Sequence, residues 1–168
     1  MTTDRIKNLK INVESKDITK LKWTKNIKVL YKEHGKWAAS NVGEHFNLVW
    51  RNKDNKDEKN AEEPQEGELI LLRQRGRITH IVELLDSQVS YSTTARDEFN
   101  IYRHVEVFWI TDNWENPPST DKLFAHGINF PANGKVHQLE NLKAFKHRWE
   151  KEGLPAFQRE VQKVLNIY

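Results

Sequence analysis

The chain has 168 residues, 27 Lys and Arg against 24 Asp and Glu, six Trp, one Met and no Cys. The absence of Cys excludes a disulfide framework, a Cys-ligated zinc site, an iron–sulfur cluster and a thiol nucleophile. At a mean hydropathy of −0.82 the chain is polar for a globular protein. Its 10% aromatic content is nevertheless too high for a fully disordered one. The length fits a single domain spanning residues 1–168. No apolar run approaches the roughly 20 residues that cross a bilayer. Residues 1–10 show no apolar core of a secretory signal, so a cytoplasmic location is expected.

The net charge of +3 hides an asymmetry. Residues 1–50 carry ten basic against five acidic side chains, residues 51–119 nine against fourteen, and residues 120–168 eight against five. Two basic ends therefore flank an acidic middle. Along the first of them, residues 1–22 mix Lys with Ile6, Leu9, Ile11, Val13, Ile18 and Leu21, and read as a weakly ordered segment or a short strand. Residues 26–32 alternate Ile27, Val29 and Tyr31, a strand pattern that His34-Gly35 ends. Residues 36–47 read as a loop or short helix, and 46–50 as a strand. Residues 51–66 hold no large apolar side chain and are expected to form an exposed, mobile insertion.

Leu69-Ile70-Leu71-Leu72 and residues 78–85 are strands joined through Gln74-Arg75-Gly76-Arg77, whose Gly marks a tight turn. Residues 87–97 form a polar loop. Residues 100–110 form a long strand with Val105, Val107 and Trp109 on one face, and irregular chain follows to residue 133. Over 137–168 the period becomes helical. Leu139, Leu142, Phe145 and Trp149 form one stripe. Gly153 suits a helix end and Pro155 the start of a second helix, with Phe157, Val161, Val164, Leu165 and Tyr168 on its face.

The run Gly67-Glu68-Leu69-Ile70-Leu71-Leu72 is similar to the Gly-Asp strand entry of the PUA-like superfamily, which includes EVE, YTH and ASCH domains. Ile78-Thr79-His80-Ile81-Val82-Glu83 and Tyr102-Arg103-His104-Val105-Glu106-Val107 resemble the barrel strands that follow there. Val49-Trp50-Arg51-Asn52 resembles a Trp-x-x-Arg-Asn run of EVE domains. Thr79-His80 stands where those domains carry small residues. The resemblance covers residues 26–110. It implies an α+β fold, a compact PUA-like β-barrel with C-terminal helices packed against it. It also implies a binding domain that takes a modified or flipped base into an aromatic pocket.

Tryptophan suits such a wall, because its π-face stacks on any base at about 1–3 kcal/mol. Trp37, Trp50 and Trp114 lie in or beside loops, and each fits either a pocket wall or ordinary packing. Trp109 and Trp149 sit on apolar stripes and read as core. Ser40 and Asn41 offer donor and acceptor groups for a base edge, or plain turn chemistry. His80, among apolar neighbours, reads as a satisfied core residue or a pocket liner. Arg73, Arg75 and Arg77 around the hairpin turn, with Arg51, are candidates for phosphate contacts.

No nucleophile elbow, phosphate-cradling Gly loop or His-Glu-x-x-His pattern occurs, and the seven His are scattered. No catalytic residue, metal or cofactor is therefore expected. Two functions follow: a module binding DNA or RNA at a base, or a protein-interaction subunit that uses the same aromatics against a partner chain.

Overall fold

Leu69-Ile70-Leu71-Leu72 is an unbroken apolar run, the pattern of a strand covered on both faces. The computed structural model describes residues 17–28, 32–33, 36–37, 41–53, 55–93, 99–131 and 133–168, with the backbone alone at 32–33, 36–37 and Asn55. In it the run forms the buried body of β5 (Leu69–Gln74). The earlier strands are β1 (Leu21–Asn26), β2 (Lys32–Glu33), β3 (Lys36–Trp37) and β4 (His45–Trp50). The later ones are β6 (Arg77–Leu84), β7 (Ser90–Tyr91), β8 (Ile101–Ile110) and β9 (Val136–Gln138). Seven of them form one mixed sheet in the order β4-β8-β6-β5-β1-β9, with β7 on β8, while β2 and β3 pair separately. β1 runs parallel to β5, and the other pairings are antiparallel.

Leu69 and Leu71 pack with Ile78, Ile81 and the C-terminal helices α2 (Lys143–Trp149) and α3 (Leu154–Val164). Ile70 and Leu72 pack on the opposite face with Trp23, Leu48, Trp50, Val82, Leu84 and Val105. That second face is concave. Lys25 on β1 reaches the ring of Trp50 on β4, four strands away, with its ammonium 4.8 Å from the ring centroid. The fold is thus α+β, a sheet curled into a half-barrel with helices against its outer face.

The expected hairpin is present. Its turn holds Arg75 at φ +50° and Gly76 at φ +73°, the left-handed pair that a two-residue turn between twisted strands requires. Pro155 stands in the first turn of α3, as the sequence suggested, whereas Gly153 at φ +86° is the N-cap of α3 rather than the residue that ends α2, whose C-cap is Glu150.

Four expectations are corrected. Residues 51–66 are not a free loop. They contain helix α1 (Asn55–Glu62), with Ala61 fully buried. Its anchors are polar: Asn60 exchanges hydrogen bonds with the backbone N–H and C=O of Val136, both at 2.8 Å, and accepts one from Trp50 Nε1 at 3.0 Å. Second, the first strand is Leu21–Asn26 rather than 26–32. Residues 29–31 lie outside the described ones, as do 1–16, most of the expected weakly ordered segment. Third, a register shift pairs Ile81 with Trp109 but Val82 with Val107. It sends Trp109 to the helix-covered face, away from Val105. Fourth, Asn166 adopts φ +55° beyond α3, so Ile167 turns into the core and Tyr168 is 93% exposed.

Among the described residues no helix is long and apolar enough to cross a membrane.

Candidate functional site

The pairing of the strands places the C-terminal ends of β1, β5 and β8 and the N-terminal ends of β4, β6 and β9 at one end of the sheet. Most of the residues singled out by sequence reach this end. His80 on β6 is 2% exposed, with Nδ1 2.9 Å from Thr79 Oγ1. Its ring lies between Trp114 at 5.5 Å and Phe46 at 5.9 Å, both tilted against it. Trp114 and Phe46 are partly exposed. The three rings form an aromatic cluster whose outer members meet solvent.

The loop carrying Trp114 is fixed to the hairpin. Ile78 N–H donates to Pro118 O at 2.8 Å, Thr120 N–H to Gly76 O at 3.0 Å, and Arg77 Nη1 to Pro117 O at 3.1 Å. Thr111 N–H donates to Thr79 O at 2.9 Å on the other side of the loop. Arg75 and Arg77 are exposed at the turn beside it. Asn41 sits in the turn before β4, its amide donating to Glu44 Oε1 at 2.7 Å. Gly43 N–H donates to Val107 O at 2.9 Å and fixes that turn to β8.

Other candidates do not join the cluster. Trp50 is 1% exposed at the far end of β4, with Lys25 over its ring and its indole N–H on Asn60, so no face of it is open to a base. Arg51 follows it and lies over Phe99 at 5.8 Å, where Lys28 also lies at 5.6 Å. The side chains of Trp37 and Ser40 lie outside the described residues. Arg73 is 4% exposed, so it is no part of the exposed turn that Arg75 and Arg77 share.

Arg73 belongs instead to a feature the sequence reading missed. Its Nε donates to Thr24 Oγ1 at 2.9 Å, its guanidinium lies 4.1 Å from the centroid of Phe130, and its buried Nη2 has no partner. Lys25, on the neighbouring strand, is 3% exposed and donates to Gly134 O. Burial pushes the Lys25 ammonium down to about 7, with repulsion from Arg73 and Lys28 adding to it. Burial also lowers Arg73, to about 10. The signal available in sequence was slight: a Lys inside an apolar-polar alternation reads as a solvent-facing position.

No family model matches the chain, and no curated protein and no solved structure matches it. Among the described residues no group of three or more His, Asp or Glu is placed to hold a metal ion.

Proposed function

We propose that the chain is a nucleic-acid-binding module that receives a base, modified or flipped, against the Phe46–His80–Trp114 cluster. Arg75 and Arg77 meet the backbone at the rim. The observation that carries this reading is the partly exposed Trp114 leaning on buried His80, beside two exposed arginines on the same turn-and-loop unit. A stacked base gains about 1–3 kcal/mol from such a ring. Guanidinium groups supply bidentate contacts to phosphate. The PUA-like resemblance of residues 67–83 and 102–107 supports the same reading.

Tryptophan fluorescence tests it, with single-stranded and duplex oligonucleotides carrying plain and methylated bases. Quenching is expected, and Trp114→Ala should remove most of it while far-UV circular dichroism stays unchanged. With two arginines on phosphates, log affinity should fall against log salt with a slope of about −1.5. No quenching by any oligonucleotide defeats this reading. A hetero-complex that buries Trp114 would then favour the protein-interaction alternative.

A further inference from the structure

β9 is the last strand of the sheet, and a side chain rather than another strand meets its outer edge. Val136 N–H donates to Asn60 Oδ1 and Val136 C=O accepts from Asn60 Nδ2, both at 2.8 Å, so the amide stands where the groups of a ladder partner would. The same edge borders a cleft of about 530 Å³ between α1, the 129–131 segment and the start of α2. That volume lies in the range of small-ligand sites. Val136, Leu142 and Ala144, all buried, give the cleft an apolar lining.

The other lining groups are set by specific contacts. Phe130 is half-buried, with the Arg73 guanidinium 4.1 Å from its centroid and Phe124 edge to face at 4.9 Å. The ring is held from behind, and its remaining surface lies on the cleft. His137 Nε2 lies 3.0 Å from Asn133 Oδ1, which also accepts from Lys135 N–H at 3.1 Å. An oxygen that accepts from a backbone N–H can only accept from the ring as well, so Nε2 carries the proton and Nδ1 the lone pair. Burial first, then Arg73, Lys135 and Lys25, hold His137 below its ordinary value, which keeps the ring neutral at pH 7. Asn141 Nδ2 donates to Gln138 Oε1 at 3.3 Å. Gln138 Nε2 is left to donate and Asn141 Oδ1 to accept, on neighbouring amides.

We propose that this cleft binds a nucleobase, its ring against Phe130 and its donor–acceptor edge on the Gln138 and Asn141 amides, with His137 Nδ1 accepting from the base or its ribose. Amide side chains match the adjacent donor and acceptor that a base presents, and every base has a π-face for the Phe ring. Among the described lining side chains Glu63 and Lys143 carry opposite charges and His137 none, so the cleft suits a neutral ligand over a phosphate. A purely apolar ligand would bury the amides unpaired. The proposal does not rest on base binding at Trp114, since β5 and β1 separate β9 from the strand that carries His80.

The experiment is an NMR titration of ¹⁵N-labelled protein with adenosine, inosine, cytidine and uridine. For at least one nucleoside the side-chain amide signals of Gln138 and Asn141 and the His137 Nδ1 signal should shift saturably. The affinity should weaken by about fivefold or more in Gln138→Ala and in Phe130→Leu. Gln138 is exposed, so Gln138→Ala decides the matter where Phe130→Leu does not fold. A lower midpoint with a trinucleotide supports the site with a base held in a strand, and an equal midpoint supports it with a free nucleoside. Ribose or free tyrosine acting at the same concentrations as the nucleosides overturns the assignment of a base. No shift with any nucleoside, shifts confined to the Trp114 indole, or equal affinity in wild type and both variants overturns the site. Oligonucleotide quenching at Trp114 is read separately, so the two proposals fail independently.

Discussion

Two arginines in similar strand contexts have opposite energetic roles, and single substitutions separate them. Replacing Arg103 with Met leaves Asp86 with an unanswered charge and strands the carbonyls of Ala61 and Pro64 in a fully buried place. The loss expected in urea denaturation is about 3–5 kcal/mol. Arg73→Met strands only the Thr24 hydroxyl, which also donates to Leu71 O at 2.8 Å, so its stability should match or exceed the wild type. Both arginines stand inside strands with an apolar or aromatic residue before them and a polar one after, in Leu72-Arg73-Gln74 and Tyr102-Arg103-His104. Their difference arises from Asp86 and the end of α1, which no local pattern reveals. Arg75 is a third case. Its φ of +50° is a strained place for a residue with a Cβ. Arg75→Asn should therefore hold or raise stability by a few tenths of a kcal/mol. If Arg75 meets phosphates, the same change should lower oligonucleotide affinity, which denaturation and fluorescence titration measure separately.

At the scale of elements, what the sequence announced was what apolar period alone decides. Leu69–Gln74, Arg77–Leu84, Ile101–Ile110 and the two C-terminal helices carry runs or stripes that only one kind of element can bury. What it concealed was held by polar groups. α1 reads as solvated charge because its fixed contacts are an amide and a carboxylate. Asn60 bonds to Val136 and Trp50, and Asp57 accepts from Lys53 N–H at 3.0 Å. β1 was hidden for the same reason, with Thr24 and Lys25 buried inside it. The aromatic cluster was half legible. The sequence points to His80 and Trp114 but not to Phe46, and of the two readings open for Trp50, pocket wall or packing, the structure shows packing, with its ring closing the concave core. Asn60→Ala isolates the polar anchor of α1. It leaves Val136 N–H and C=O and the Trp50 indole without that partner, so a loss of about 2 kcal/mol is expected. Hydrogen exchange should show the amides of α1 and of Val136 losing protection first, while those of β5 and β6 keep theirs.

For the whole molecule, folding converts a charge pattern in sequence into one in space. β1 comes from the basic first fifty residues and β9 from the basic last fifty, and the sheet makes them neighbours. Lys25 and Lys28 are thereby gathered with Arg73, Lys135 and His137 at one end, while Glu68 pairs with Lys22 at 3.4 Å. This crowding predicts how stability depends on pH. Lys25 titrates at about 7 in the folded chain against 10.5 when unfolded, so between those values the unfolded state binds more protons and stability rises with pH. The rise from pH 7 to pH 9 should be roughly 2–3 kcal/mol, at 1.36 kcal/mol per unit once Lys25 has lost its proton. His137 acts in the same sense just below its ordinary value, because its folded pKa is also lowered. Tyr91, pushed up to about 12 by its hydrogen bond to Glu58, keeps its proton throughout this window. Urea denaturation at pH 6, 7, 8 and 9 measures the profile. Lys25→Met should flatten it above pH 7, and a profile as steep in that variant as in the wild type would show that the slope has another origin.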